Sequence, residues 1–237
     1  MFAPARRRGT EMLDDPGSDP ALALRSLHDI AKANLLFGGR RAVVRELRRR
    51  MARQTGPVRL LLDIGTGLGD IPAASRRAAA SARVDLRTIG LELAPALARA
   101  ARPACNFTVV GDALHLPFAD ASIDIVTCSQ VLHHFDDAEA ETLLRECTRV
   151  ASEAVVIADL RRSWLAIGGL WLASFALRFH PVSRHDGIVS ILRGYTAPEL
   201  RSLVARVIGV RPEVRYGLGW RVTAVWGAFR APSIPAP

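Results

Sequence analysis

A chain of 237 residues, 49% of them hydrophobic, is long and apolar enough to bury a full core, which argues against a disordered protein. Its formal net charge of +9 is carried almost wholly by arginine, Lys32 being the only lysine. The arginines fall in short runs (Arg6 to Arg8, Arg40-Arg41, Arg48 to Arg50, Arg161-Arg162) with few aromatics between them, which fits GC-rich coding, solvated helix faces or a peripheral contact with acidic phospholipid better than a nucleic-acid-binding stripe.

In chain order, residues 1–18 are rich in Pro, Gly, Arg and Asp and read as a frayed arm. The arginines there are not followed by an apolar run, since Glu11, Asp14 and Asp15 intervene, so the pattern is not that of a secretory signal. Asp19-Pro20 reads as a helix cap with proline at the first helical position, and Gly38-Gly39 as the stop. A second, Arg-rich helix over about Arg40–Arg53 ends before Gly56-Pro57, giving a helical cap over 19–56. From 57 to 230 strands alternate with helices, the signature of a parallel sheet, and 231–237 is a tail.

Strands are expected at Val58–Ile64, Val84–Leu91, Phe107–Val110, Ile123–Cys128 and Ala154–Ala158, with helices near Asp70–Ala80, Pro95–Arg102, Ala138–Val150 and Ala197–Val207. Glu213–Gly217 and Arg221–Phe229 read as an antiparallel pair at the sheet edge. One stretch breaks the alternation. Ser163 to Phe179 is apolar almost throughout, and its uncharged core is shorter than the ~18–20 residues of a membrane span. It reads as a buried helix or lid, with an interfacial membrane contact left open by Arg161, Arg162 and Arg178. On that reading Trp164 and Trp171, seven apart, share a face and form core or pocket wall. Cys105, Cys128 and Cys147 are odd in number and set in apolar surroundings, as structural cysteines of a cytoplasmic protein are, with no metal-ligand spacing.

The chemistry concentrates at three strand ends. Leu60 to Ile64 is an apolar run containing Asp63, broken by Gly65, Gly67 and Gly69 into a turn whose backbone can lie against a ligand. The second strand ends at Glu92, a carboxylate able to accept both hydroxyl protons of a ribose. The third is followed by Asp112-Ala113, where the acid can accept from an adenine amino group. A dinucleotide fold shares the first two elements, but its third glycine falls at Asp70, and an acid at that helix start opposes a pyrophosphate. A cationic sulfonium cofactor tolerates it.

The segments DIGTGLG, GLELAP, GDALHLPFADASIDIV and CSQVLHHFDD together resemble the class I S-adenosylmethionine-dependent methyltransferases, in the small-molecule branch that includes ubiquinone- and menaquinone-type enzymes. The resemblance covers about Val58 to Leu160. It implies S-adenosylmethionine as cofactor, with Asp63, Gly65 and Gly67 at its methionine part, Glu92 at the ribose and Asp112 and Ala113 at the adenine. Thr66, Leu93, Ser129 and Gln130 are implied as further cofactor neighbours. Two departures stand out: Ala94 replaces the usual serine helix cap, at a cost of ~1 kcal/mol, and Ala151-Ser152-Glu153 replaces the usual Pro-Gly-Gly turn.

The expected fold is a Rossmann-like α/β domain with a seven-stranded, mostly parallel sheet, an antiparallel last strand, a helical cap and a helical insertion over about 161–195. The expected reaction is methyl transfer to a small apolar acceptor (phenolic, quinol, polyketide or lipid-like), oxygen first and carbon of a quinone-type precursor second. An NAD(P)-dependent oxidoreductase is the remaining alternative. His185, in an Arg-His-Asp-Gly segment read as a loop, is the expected base, with His133 or His134 orienting the acceptor. No metal and no nucleic-acid partner is expected; acceptor identity and oligomeric state stay open.

Overall fold

The computed structural model describes residues 3–7, 9–12, 19–51 and 59–227. The expected strand start at Val58, the helix stop at Gly56-Pro57, the strand end at Phe229 and the tail at 231–237 lie outside them.

Helix α1 (Pro20–Leu36) opens as the sequence implies: the Asp19 side chain accepts from the Ala21 N–H at 2.9 Å, and Pro20 takes the first turn. Gly38, at φ +77, reverses the chain into α2 (Gly39–Met51). Seven strands and six further helices follow: β1 (Arg59–Ile64), α3 (Asp70–Ser81), β2 (Leu86–Glu92), α4 (Pro95–Ala101), β3 (Phe107–Val110), β4 (Ile123–Ser129), α5 (Asp137–Val150), β5 (Ala151–Leu160), α6 (Trp164–Ala176), α7 (Pro181–Arg193), α8 (Ala197–Ile208), β6 (Glu213–Gly217) and β7 (Arg221–Gly227). The sheet order is β3-β2-β1-β4-β5-β7-β6. The first five strands pair in parallel, and β7 pairs antiparallel with both β5 and β6.

A sheet of this kind must be covered on both faces. Alternation along β1 sends Leu62 and Ile64 into one core with Leu143, Leu144, Cys147 and Leu200, under α5 and α8. Leu61 goes to the other with Val43, Leu47, Ile71 and Ala78, under α2 and α3. The cap helix α2 is therefore part of the sheet's cover. All three cysteines are buried and unbridged.

Four expectations need correction. β5 is longer than expected because Ala151 already pairs with Ile123, so Ala151-Ser152-Glu153 continues the strand instead of turning. The insertion contains two helices, and the segment expected as a loop around His185 is the middle of the second. Pro181 in the first turn and the His180 ring nitrogen accepting from the Val182 N–H start α7, and Gly187 within it makes room for Leu170. The first helix, α6, is not buried: Trp164 and Trp171 are exposed, not core or pocket wall. Finally, the described part of the arm is docked, not frayed. The Arg7 N–H donates to the Leu192 carbonyl at 3.2 Å, the Met12 N–H to Asp186 at 2.9 Å, and Ser190 Oγ to Glu11 at 2.8 Å.

Helix α4 starts at Ala94, whose φ −85 and ψ 123 suit a cap but whose methyl group makes no cap bond. Ala94→Ser is expected to stabilise the protein by about 1 kcal/mol, read from the denaturant midpoint at unchanged m-value.

Candidate active site

The sheet order reverses between β1 and β4, and the cleft lies beyond the carboxyl ends of the strands there. β1 breaks at Gly65, whose φ of +62 and approach to Val131 leave no room for a Cβ. The Gly65 and Thr66 N–H groups both donate to the Leu91 carbonyl, at 2.9 and 3.2 Å. The Gly67 N–H donates to Glu92 Oε1 at 2.5 Å, tying the glycine turn to the end of β2.

Asp63 pairs in register with Thr127 on β4. It is 2% exposed and accepts from Thr127 Oγ1 at 2.7 Å and Thr66 Oγ1 at 2.9 Å. Burial raises its pKa to about 7 against those two bonds, with Asp70 and Glu92 adding like charge. Burial also raises Asp70 and Glu92 above the ordinary carboxylate range. Asp112 is held below it by the Leu114 N–H, at 2.8 Å, and by His115.

One cleft of about 530 Å³ is lined by Asp63, Gly65, Thr66, Gly67, Glu92, Leu93, Asp112, Ala113, Ser129 and Gln130, so the ten residues that the sequence nominated come together. Asp70 and His134 line it too. Two buried oxygens among these, Asp70 Oδ2 and Ser129 Oγ, have no hydrogen-bond partner. Although the chain is basic, this cleft presents carboxylates and fits a cationic ligand with hydroxyl and amine donors.

Gln130, at φ +59, closes β4 in a conformation that costs a non-glycine residue about 1–3 kcal/mol. Its side chain is held between Asn34 of α1 and Arg221 of β7, the latter donating to Oε1 at 2.7 Å. Gln130 and Ile30 also border a smaller annex of about 80 Å³ under the insertion, walled by Phe37, Leu160, Ala166, Leu170, Phe179 and Trp220.

The histidines divide. The backbone and Nδ1 of His133 both engage Asp159, at 3.1 and 2.6 Å, and the side chain is buried outside the cleft. His134 faces the cleft with its ring 4.3 Å from that of His133. His185 does not join them. Helix α7 turns it to solvent, 47% exposed, beside Asp186, while Asp186 itself lines the cleft. Ligand atoms of Glu11, His133 and His134 lie within 4.8 Å of one another, which is metal-ligand spacing. Yet an Arg193 amino group is 3.1 Å from Glu11 Oε1 and 3.5 Å from His134 Nδ1. A guanidinium about 4 Å from a dication costs about 8 kcal/mol at an effective dielectric constant of 20, so the cluster suits proton handling better than metal binding.

Sequence reasoning missed Asp159, although it is one more carboxylate at a strand end. Glu11, Asn34, Arg193 and Arg221 gave no signal, because each reaches the site from a distant part of the chain.

Comparison with known proteins agrees with this geometry. Residues 62–157 match the family described as a methyltransferase domain. That match spans β1 to β5, the part of the sheet that bounds the cleft, and marks a methyltransferase domain there. Among solved structures, this chain is similar to magnesium protoporphyrin IX methyltransferase (ChlM) from Synechocystis PCC 6803 with bound SAH, at 15% identity over 91% of this chain and 90% of that one, TM-score 0.54. It is also similar to an S-adenosylmethionine-dependent methyltransferase from Aquifex aeolicus (14%, 90% and 100%, TM-score 0.58) and to an O-methyltransferase family protein from Burkholderia thailandensis (18%, 87% and 60%, TM-score 0.57). At these identities the likeness is one of fold. No curated protein matches the sequence.

The buried acid generates a pH signature. Folded Asp63 keeps its proton up to about pH 7, whereas the unfolded chain releases it near 3.8, so this contribution to stability is present at low pH and is lost as pH rises toward 7. The stability of Asp63→Asn relative to wild type is expected to grow over that window, by at most about 4 kcal/mol, in denaturant titrations at matched pH.

Proposed function

We propose that the cleft holds S-adenosylmethionine and that the annex receives a small, largely apolar acceptor, with methylation at an acceptor oxygen. The observation that carries this reading is the continuity of the two spaces: a carboxylate-lined cleft meets an apolar annex at Ile30, Gln130, Ser183 and Gly187. When bound, the cofactor supplies an electrophilic sulfonium methyl.

The residues present fit it. Asp63 and the left-handed glycine turn would hold the ammonium end, Glu92 the ribose hydroxyls, and Asp112 with Ala113 the adenine. The unpartnered oxygens of Asp70 and Ser129 give further acceptors for its donors. Catalysis then rests on holding the acceptor oxygen in line with the methyl group and on keeping water out with the apolar insertion. The apolar walls of the annex support a phenolic, quinol, polyketide or lipid-like acceptor.

A phenol has a pKa near 10 and benefits from a base at neutral pH. His134 is the histidine that faces the cleft, and we assign it that role. His133, fixed by Asp159, positions it through the stacked rings. His185 stands outside the cleft and has no part in this scheme.

Adenosylhomocysteine is expected to raise the melting temperature by mass action. Glu92→Ala should weaken its binding about 10- to 100-fold through lost charge-assisted bonds to the ribose. Because Asp63 must be ionised to pair with the ammonium, affinity should fall by up to about tenfold per pH unit below about 7 and be flat above it, measured by calorimetry. Unchanged affinity in Glu92→Ala would remove the ribose assignment.

With a phenolic acceptor, His134→Ala should lower the methyl-transfer rate by ~10²-fold at neutral pH and recover toward the phenol's own pKa, while His185→Ala stays near wild type. The reverse ranking would return the base to α7.

A further inference from the structure

We propose that the outer face of α6 seats this protein on the surface of an anionic phospholipid bilayer. At 100° per residue, Trp171, Trp164, Phe175, Leu172, Leu165 and Ala176 fall within one arc about 140° wide, and every one is exposed. Trp164 is 61% exposed, Trp171 53% and Leu172 68%, in an arc with no polar side chain. A soluble helix normally turns its polar side outward. α6 has none to turn: its inner residues Ala166 and Leu170 wall the annex, and its outer residues are just as apolar.

Charge identifies the occupant. Between Arg161 and His185 there is no acidic residue, while Arg161, Arg178 and Arg184 fall within that stretch; Arg162, also there, is buried and paired with Glu199. Arg184 lies over the Phe175 ring at 4.3 Å and Arg178, exposed, follows the end of α6, so cations border the aromatic face. Tryptophan with arginine around an apolar helix face is the composition of a lipid headgroup boundary. A second copy docked on the same face would bring like guanidinium groups together, whereas anionic headgroups neutralise them. The helix, 13 residues and ~20 Å long, lies on the bilayer and does not cross it, and no helix among the described residues is long and apolar enough to do so. In this pose the annex sits behind the membrane-facing helix, so a lipid-dissolved acceptor enters from that side; this last clause rests on the acceptor reading above.

The test is flotation of the purified full chain with phosphatidylcholine vesicles, with and without phosphatidylglycerol. Wild type should float with the anionic vesicles and much less with the neutral ones. Leu165→Gln/Leu172→Gln, two exposed positions outside both cavities, should reduce partitioning at least about tenfold, with melting temperature and its rise with adenosylhomocysteine unchanged. In wild type, acyl-chain-brominated lipid should quench tryptophan fluorescence, a readout that needs no variant. Absence of flotation at low salt, flotation undiminished in a folded variant without quenching, or a dimer that the variant dissociates would each overturn the proposal. Flotation with quenching but no stabilisation by adenosylhomocysteine would uphold it and overturn the cofactor reading instead.

Discussion

A carboxylate withheld from water at the reversal point of the sheet governs the rest of this site. Asp63 is the next-to-last residue of a buried strand, and the core on that face gives it no solvent. Two threonine hydroxyls compensate in part, one from the neighbouring strand and one from the turn that follows. They do not outweigh burial, and Asp70 and Glu92 stand close enough to add repulsion. The ligand-free site therefore carries unfavourable electrostatics that a cation relieves. This is how a fold stores binding free energy: groups arranged at a cost in the absence of ligand release that cost when the ligand's charge arrives.

The same constraint explains a contrast in charge. The chain as a whole carries +9, yet its cleft is lined by acids. Arginines serve elsewhere as structural clamps. Arg149 gathers Glu146, Asp120 and two carbonyls, Arg162 links the arm to α8 and the turn after α7, and Arg193 ties Glu11 to α7. The one deep in the wall, Arg221, has its pKa pushed down to about 10 by burial; its two terminal amino groups donate to the neutral amides of Gln130 and Asn34, and its buried Nε has no partner. Net charge thus says little about the ligand; the distribution of charge along strand ends says much more.

The glycine-turn side of the cleft was legible in the sequence because its information is local. Asp63 and its glycines, Glu92, and Asp112-Ala113 each sit just past a strand whose apolar run announces it, and parallel pairing aligns those ends without further instruction. Element limits erred where a local signal had two readings. Gly187 reads as a turn beside His185 and Asp186, yet a proline two residues after the apolar stretch had already begun a helix, and Leu170 needed the space a side chain would take. Trp164 and Trp171 read as core because apolar residues usually are. With no polar face to set a direction, periodicity could not tell which side of α6 packs inward.

The far wall of the cleft, with the cluster of charged groups behind it, is built differently, and this is why sequence alone said little about it. Glu11 comes from an arm, Asn34 from a cap helix, Gln130 from the end of β4, Asp159 from β5, Gly187 and Arg193 from an insertion, and Arg221 from the last strand. Each is ordinary in its own segment. They acquire meaning only when the arm lies along α7 and Gln130, strained at positive φ, reaches between Asn34 and Arg221. A turn that binds a common cofactor can be specified within a dozen residues, since every protein that uses it faces the same ligand. A wall assembled from many elements draws on whatever its surroundings can bring near, so its code is spatial. His133 illustrates the point: in the chain it is one of an adjacent pair, and only Asp159, twenty-six residues on, separates a fixed, buried ring from one that faces the cleft.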